Sequence, residues 1–224
     1  MKTNPCCHPR LRPTIPPMRH AIQTATLFPL LLALAAGPGD AAEKTNTVDS
    51  VGGSGYVMNG ATRPELTLVR GHSYLFQASA APSFHPLKLS TSATGGGGTS
   101  IFTNKVTGPQ PCCGSGCSAT SFVFAPDSTT PDLLYYQCNV HQNLGNKVHI
   151  VNPPAFSGFT ETNGLIGLTF ASAYSTTASV QRATDLFSND WLTVQTLTST
   201  PGSISTTISN TSATEFYRIL TPLP

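Results

Sequence analysis

The sequence predicts an all-β protein, and three observations support this class. Apolar residues recur in near alternation over short runs such as GYVMNG, ELTLV and SYLFQAS, which is the two-residue period of a strand. The chain has 19 Gly and 19 Pro among 224 residues, a composition typical of short strands joined by turns. No segment shows a convincing helical period. We therefore expect an antiparallel β-sandwich followed by a smaller β-sandwich.

The first 42 residues have the features of an export signal. Basic residues precede the apolar run ATLFPLLLALAAG (25–37), and the small residues of PGDAAE follow it as a cleavage region. The run is shorter than the roughly 20 apolar residues that a membrane-spanning helix needs. Met18 is an alternative start, because it opens a signal of more ordinary length. We expect an exported protein, periplasmic or extracellular, with no membrane span after signal removal.

The charge balance excludes some classes of partner. Behind the signal, 8 basic residues face 9 acidic ones, so the remaining chain is close to neutral. This leaves no basic face for nucleic acid and no charged run for a membrane surface.

The first sandwich is predicted over residues 46–152. After the runs quoted above, HPLKLS, SFVFAP, LLYYQC and KVHIV continue the apolar alternation. The segments between them, TSATGGGGTS, TGPQPCCGSGCSAT and DSTTPD, are rich in turn residues. This order predicts six or more short strands, which we expect to pair antiparallel.

A second β-module is predicted over residues 158–224, after a linker at 153–157. The two prolines of NPPAFSG deny donors to any strand ladder, which marks the linker. SVQRATDLFSNDW and EFYRIL resemble core segments of the fibronectin-III-like modules found near the C-termini of secreted bacterial proteins. The resemblance implies a spacer, or a module that attaches to another protein or a surface.

The stretch LYYQCNVHQNLGNKVHIV contains the chemistry-bearing residues. Cys138 and His141 form a C-x-x-H motif at the predicted end of a strand and in the following loop. His85 in SFHPLKLS offers a second imidazole at the start of another strand. Two imidazoles and a thiolate are the ligands of blue-copper centres, although Cys with His also serves zinc. On spacing alone, a disulfide half-cystine beside a surface imidazole stays an alternative.

These segments resemble the cupredoxins, specifically the small secreted plastocyanin-like or amicyanin-like domains. The resemblance covers about Tyr56 to Val151 and rests on the order FHPLKLS, then LYYQCNVH. It implies a Greek-key cupredoxin sandwich with His85, Cys138 and His141 as the equatorial ligands of one type 1 copper. It also implies one-electron transfer between Cu(II) and Cu(I) with a redox partner protein that the sequence does not identify.

The fourth copper ligand of that family, an axial methionine, is missing. Amicyanin-like spacing puts Leu144 at its place without a gap, and plastocyanin-like spacing puts Asn146 there. We favour Leu144, which has no lone pair for copper, so the reduction potential should rise. An amide oxygen from Asn146 or Gln142 would instead favour Cu(II) and lower the potential. Leu87, Leu144 and Phe84 are the candidates for excluding water from the site.

The remaining cysteines and histidines have simpler expectations. Cys112 or Cys113 can close a loop disulfide with Cys117, whereas adjacent cysteines bridge each other only with strain. One thiol is then unpaired or intermolecular, unless Cys138 itself joins a disulfide and leaves no thiolate for metal. The other two histidines behind the signal, in RGHS and KVHI, are expected to be bystanders in a turn and a strand.

Enzyme motifs are missing from the sequence. It contains no G-x-S-x-G, H-E-x-x-H or P-loop, and no His-x-His pairs for a trinuclear copper cluster. We therefore expect a protein that is not an enzyme. The alternative to electron transfer is an extracellular binding module on a cupredoxin scaffold, either metal-free or carrying copper to another protein.

Overall fold

A computed structural model describes residues 42–187, 190–209 and 215–224. The described residues form β-strands and no helix, which confirms the predicted all-β class. No helix that could span a membrane occurs in the described part of the chain. The predicted export signal lies outside the described residues, except for its last position.

The first sandwich has ten strands in the described residues. They are β1 (Lys44–Gly52), β2 (Gly55–Met58), β3 (Ala61–Thr62), β4 (Leu66–Val69), β5 (Tyr74–Gln77), β6 (Leu87–Ser90), β7 (Val106–Thr107), β8 (Ser121–Phe124), β9 (Leu133–Cys138) and β10 (Asn146–Val151).

Two sheets build this sandwich, and both are mixed. One has six strands in the order β3-β2-β1-β5-β8-β7, and the other has four in the order β4-β10-β9-β6. Most neighbours are antiparallel, as predicted, but β1 with β5 and β4 with β10 are parallel. The parallel pairs arise because the chain visits other strands between the two partners, so they are joined by long crossovers rather than hairpins. The alternation of apolar residues within a strand does not indicate whether its neighbours run parallel or antiparallel.

The core follows from the alternation that predicted the strands. In β5, Tyr74 and Phe76 are fully buried, whereas Leu75 and Gln77 are only partly so. Phe76 stacks on Phe122 of β8 with ring centroids 5.1 Å apart. Both sheets contribute side chains to one apolar cluster, which therefore stabilises the sandwich as a unit.

The second module has six strands in the described residues. They are β11 (Ala155–Thr162), β12 (Leu165–Ser172), β13 (Thr176–Ala183), β14 (Leu192–Ser199), β15 (Gly202–Ser209) and β16 (Phe216–Leu220). They form two three-stranded sheets, β11-β12-β15 and β14-β13-β16.

The second module has a small core. Ile166, Leu168 and Val180 are its buried apolar cluster.

The first strand of the second module begins within the predicted linker. β10 ends at Val151 and β11 begins at Ala155, so the chain between the strands is shorter than the predicted 153–157. The prolines end the preceding ladder, as their missing N–H groups require, but Ala155 onwards pairs with β12.

Phe76→Ala should lower the free energy of unfolding by about 3–5 kcal/mol, because it leaves a cavity in the centre of the first sandwich. Phe84→Ala is the matched control, since this ring is 61% exposed in the same sandwich and its loss should cost only about 0.5 kcal/mol. Urea denaturation followed by circular dichroism measures both. Equal losses from the two variants would contradict the core described above.

Candidate metal centre

Cys138 ends strand β9 with its side chain in the core of the first sandwich. Leu134, Tyr136 and Cys138 alternate along the strand, and all three are fully buried. In the neighbouring strand, Leu87 lies directly opposite Cys138. The sulfur is therefore enclosed by protein on the side that faces the core.

The loop after β9 brings His141 back towards this sulfur. The backbone N–H groups of Val140 and His141 both donate to Cys138 Sγ at 3.3 Å. His141 Nδ1 lies 4.0 Å from Sγ, and its side chain is exposed. Two N–H donors at one sulfur compensate the negative charge that a metal-bound thiolate carries.

His85 approaches from the segment before β6. Its backbone N–H donates to the carbonyl of Pro82 at 2.8 Å, which closes a turn just ahead of the strand. His85 Nδ1 lies 3.9 Å from Cys138 Sγ, and the rings of His85 and His141 are 4.6 Å apart at their centroids. Burial, followed by the neighbouring His141, lowers the pKa of His85, so its nitrogen lone pair is available at lower pH than that of an ordinary imidazole.

The three predicted ligands thus converge, and their spacing fits a metal ion. The ligand atoms of His85, Cys138 and His141 all lie within 4.8 Å of one another. Metal–nitrogen distances of about 2.0 Å and metal–sulfur distances of about 2.3 Å put nitrogen and sulfur roughly 3.5–3.8 Å apart in a tetrahedral or trigonal site. The observed 3.9 and 4.0 Å are within a few tenths of an ångström of this.

Tyr56 of β2 connects the two segments that carry the ligands. Its backbone N–H donates to the carbonyl of Leu144 at 2.8 Å, and its hydroxyl donates to the carbonyl of His85 at 2.9 Å. Burial, together with the nearby Cys138, raises the pKa of Tyr56 far above its ordinary value. The hydroxyl therefore stays protonated and remains a hydrogen-bond donor at any ordinary pH.

Leu144, the residue expected at the fourth position, is apolar and buried. Leu144 is only 9% exposed and belongs to the core cluster of the first sandwich. Asn146, the other candidate, uses its side chain elsewhere. Its amide nitrogen donates to the carbonyl of Arg63 at 2.7 Å, and its Oδ1 accepts from the N–H of Lys147 at 2.9 Å. This arrangement favours Leu144 over Asn146 as the residue beside the three ligands.

The apolar surroundings differ from the prediction at one residue. Leu87 is fully buried against the site, as expected of a residue that excludes water. Phe84 is 61% exposed, although its ring centroid lies 4.6 Å from that of His85. Phe84 lies within the turn that the hydrogen bond between His85 and Pro82 closes, so its ring contacts His85 from the exposed side.

The cysteines separate into a disulfide and two buried thiols. Cys113 pairs with Cys117, one of the two predicted options, and Cys112 and Cys138 are free. Cys112 exchanges backbone hydrogen bonds with Leu87 at 2.8 and 2.9 Å, on the opposite side of β6 from Cys138. Two strand spacings, roughly 9–10 Å, therefore separate the Cα atoms of the two free cysteines, whereas a disulfide needs them within about 7 Å. Burial raises the pKa of Cys112 to about 12, as suits an inert core thiol.

The other two histidines of the described chain lie outside the cluster. The ring of His72 pairs with Glu43, and that of His149 with Glu65 at 2.7 Å. Both pairs lie on partly exposed surface, so these imidazoles have partners other than a metal.

Sequence reasoning did not find Tyr56 or Lys88. Tyr56 occurs in an ordinary alternating strand, so nothing marks its hydroxyl as a clamp. Lys88 had a signal that was available, a lysine between two leucines of an apolar run. It is fully buried, with its ammonium against the glycine-rich loop.

A family model described as the At5g54830-like domain matches residues 33–152. The match spans just over half of the chain and contains His85, Cys138 and His141. No curated protein matches the chain. No solved structure matches it either.

Tyr56→Phe should destabilise the protein by about 1–2 kcal/mol, because the carbonyl of His85 loses a buried donor. It should also weaken metal binding, since the His85 segment is no longer tied to β2. Tyr135→Phe is the matched control, which removes a hydroxyl from a half-buried tyrosine of β9. Urea denaturation and metal titration measure the two effects. Indistinguishable results for the two variants would contradict the clamp.

Proposed function

The chain belongs to the family of At5g54830-like domains, and we propose that it is an exported, mononuclear type 1 copper protein that transfers single electrons. The observation that carries the proposal is the convergence of His85, Cys138 and His141, with the ligand atoms within 4.8 Å of one another. Bound copper supplies the one-electron couple between Cu(II) and Cu(I). The protein supplies the ligands, their fixed positions and the path to the surface.

The donor set supports copper over zinc. Two imidazole nitrogens and one thiolate beside an apolar fourth position match a trigonal blue-copper site, whereas structural zinc sites are usually four-coordinate. Leu144 has no lone pair to give, so His85, Cys138 and His141 would hold the ion without a fourth ligand from this position. A soft, low-coordinate set stabilises Cu(I) relative to Cu(II), which raises the reduction potential.

Fixed ligand positions support electron transfer. The hydrogen bonds at Cys138 Sγ and the Tyr56 clamp at His85 and Leu144 hold the site through groups other than the metal. A site held in this way keeps similar geometry in both oxidation states, so little energy is spent on rearrangement during transfer.

The exposed side of the site supports contact with a partner protein. His141 is exposed, and Val140 and Phe84 beside the ligands are 52% and 61% exposed. Apolar surface around an accessible imidazole suits a short-lived protein contact, with the imidazole as the route for the electron.

Export and the C-terminal module belong to the same proposal. The Cys113–Cys117 disulfide supports an oxidising compartment, periplasmic or extracellular. The module that begins at β11 would act as a spacer, or attach the copper domain to another protein or a surface. A copper carrier is the second candidate function, favoured by the exposure of His141, which leaves one ligand open to a competing protein.

Adding Cu(II) to the reduced, metal-free protein should produce an intense visible absorption from charge transfer between Cys138 sulfur and copper. Cys138→Ser should abolish the band and weaken copper binding by more than about 100-fold. Loss of a residue that only hydrogen-bonds to a ligand already weakens metal binding by about 10–100-fold, and loss of the ligand itself should weaken it more. His149→Ala is the matched control and should keep both. A colourless wild type, or a serine variant that keeps all its copper, would contradict the site.

Leu144→Met should lower the reduction potential, because a thioether at the fourth position stabilises Cu(II) relative to Cu(I). Leu134→Met is the matched control, since it makes the same change in the same core, further along β9 from the ligands. Protein voltammetry measures both potentials. An unchanged reduction potential in Leu144→Met would show that Leu144 does not occupy the fourth position. Rapid loss of copper to a Cu(I) chelator, without a reversible couple, would favour the carrier.

A further inference from the structure

The glycine-rich loop forms a left-handed turn that standard residues rarely adopt. Gly95, Gly96, Gly97 and Gly98 have φ of 67°, 74°, 64° and 67°. We call Gly95–Gly98 the glycine turn. Only glycine enters this region of φ without steric cost, so four in succession indicate a backbone path that the fold requires.

The glycine turn lies directly on the loop that carries the ligands. The N–H of Gly96 donates to the carbonyl of Cys138 at 2.9 Å, and the N–H of Gly98 donates to the carbonyl of Asn139 at 2.9 Å. We call residues 138–143 the ligand loop. Its backbone is thus hydrogen-bonded to the glycine turn at the ligand Cys138 itself and at the residue that follows.

The contact is too close for side chains at its centre. A Cβ at Gly95 would lie 2.6 Å from Cβ of Gln137 and 3.1 Å from the carbonyl oxygen of Cys138. A Cβ at Gly98 would meet nothing within 4 Å. The turn therefore has one glycine pressed against the ligand strand and another, with the same φ, that faces open space.

A buried ammonium holds the turn from below. Lys88 of β6 is fully buried, and its Nζ donates to the carbonyl of Thr99 at 2.6 Å and, less closely, to that of Gly96 at 3.4 Å. Burial lowers the pKa of Lys88, while the nearby Cys138 acts in the opposite direction. Lysine is almost never fully buried unless its charge is satisfied. These two carbonyls therefore compensate the ammonium charge and account for its burial.

The neighbouring strand adds a second polar support. Gln137 lies opposite Lys88 in the β6–β9 ladder and is also buried. Its side-chain amide donates to the carbonyl of Ala93 at 2.6 Å and accepts from the N–H of Gly145 at 2.9 Å. It therefore ties the start of the glycine-rich loop to the chain just beyond the ligand loop.

We propose that Lys88 and the glycine turn are a positioning device that holds the ligand loop in its metal-binding shape before any metal arrives. Lys88 is a positioning residue, since it acts on Cys138 and His141 only through the turn. The preorganisation of the ligand loop does not depend on the proposed function, whereas its effect on copper affinity rests on that function.

The test measures alkylation of metal-free protein by iodoacetamide, mapped to each cysteine by peptide mass spectrometry. Lys88→Met keeps the length and apolar stem of the side chain and removes the ammonium. It should raise the labelling rate of Cys138 by about tenfold, the effect of roughly 1.4 kcal/mol of local opening, and leave Cys112 unchanged. Cys112 is the internal reference, because it is buried in the same core across β6. Lys147→Met, at an exposed lysine of β10, is the matched control and should change neither rate.

Gly95→Ala and Gly98→Ala give an independent comparison at the same φ. Both glycines have φ of 67°, but only Gly95 is crowded against Gln137 and Cys138. Gly95→Ala should raise Cys138 labelling well above the rate in Gly98→Ala. Equal rates in these two variants, an unchanged Cys138 rate in Lys88→Met, or a parallel rise at Cys112 would overturn the proposal. The labelling is measured on metal-free protein, so a failure of this proposal is distinguishable from a failure of the protein to bind copper.

Discussion

The register between β6 and β9 is the constraint on which the candidate site depends. Leu87 lies opposite Cys138, and the next pair is Lys88 with Gln137. Because side chains alternate between the faces of a strand, the first pair enters the core and the second enters the opposite face under the glycine turn. A slip of one residue would exchange the two faces, burying an ammonium in the apolar core and expelling the thiol. One ladder thus determines both the ligand sulfur and the support of its loop.

The site lies where one sheet ends and the other reaches over it. Tyr56 belongs to the six-stranded sheet, yet it bonds the backbone at His85 and Leu144, which flank the four-stranded sheet. The positions of the candidate ligands are therefore set by backbone hydrogen bonds to other parts of the sandwich. The edge position also explains the gradient of exposure, from a fully buried Cys138 to an exposed His141. This gradient suits the proposed centre, in which the sulfur would be shielded from water and electrons would pass through one imidazole.

Much of this could be predicted from the sequence, because strand alternation and ligand spacing are local signals. The all-β class follows from alternation, and the C-x-x-H motif with His85 indicates the convergence that the fold produces. Features that depend on contacts between distant segments could not be predicted. The parallel pairings need the order in which the chain visits the sheets. The Tyr56 clamp and the exposure of Phe84 need the three-dimensional surroundings of residues that look ordinary in the sequence. GGGG is recognisable as a loop, but its role depends on what lies beneath it.

The central claim, one copper held by one sulfur and two imidazoles, is tested most directly by X-ray absorption at the copper edge of the loaded protein. The account predicts one short copper–sulfur distance and two copper–nitrogen distances with the scattering pattern of imidazole, at one copper per chain. It also predicts no second sulfur, because Leu144 is the residue proposed for the fourth position and Cys112 lies across β6. A first shell of nitrogen and oxygen alone would contradict the claim, as would a second sulfur.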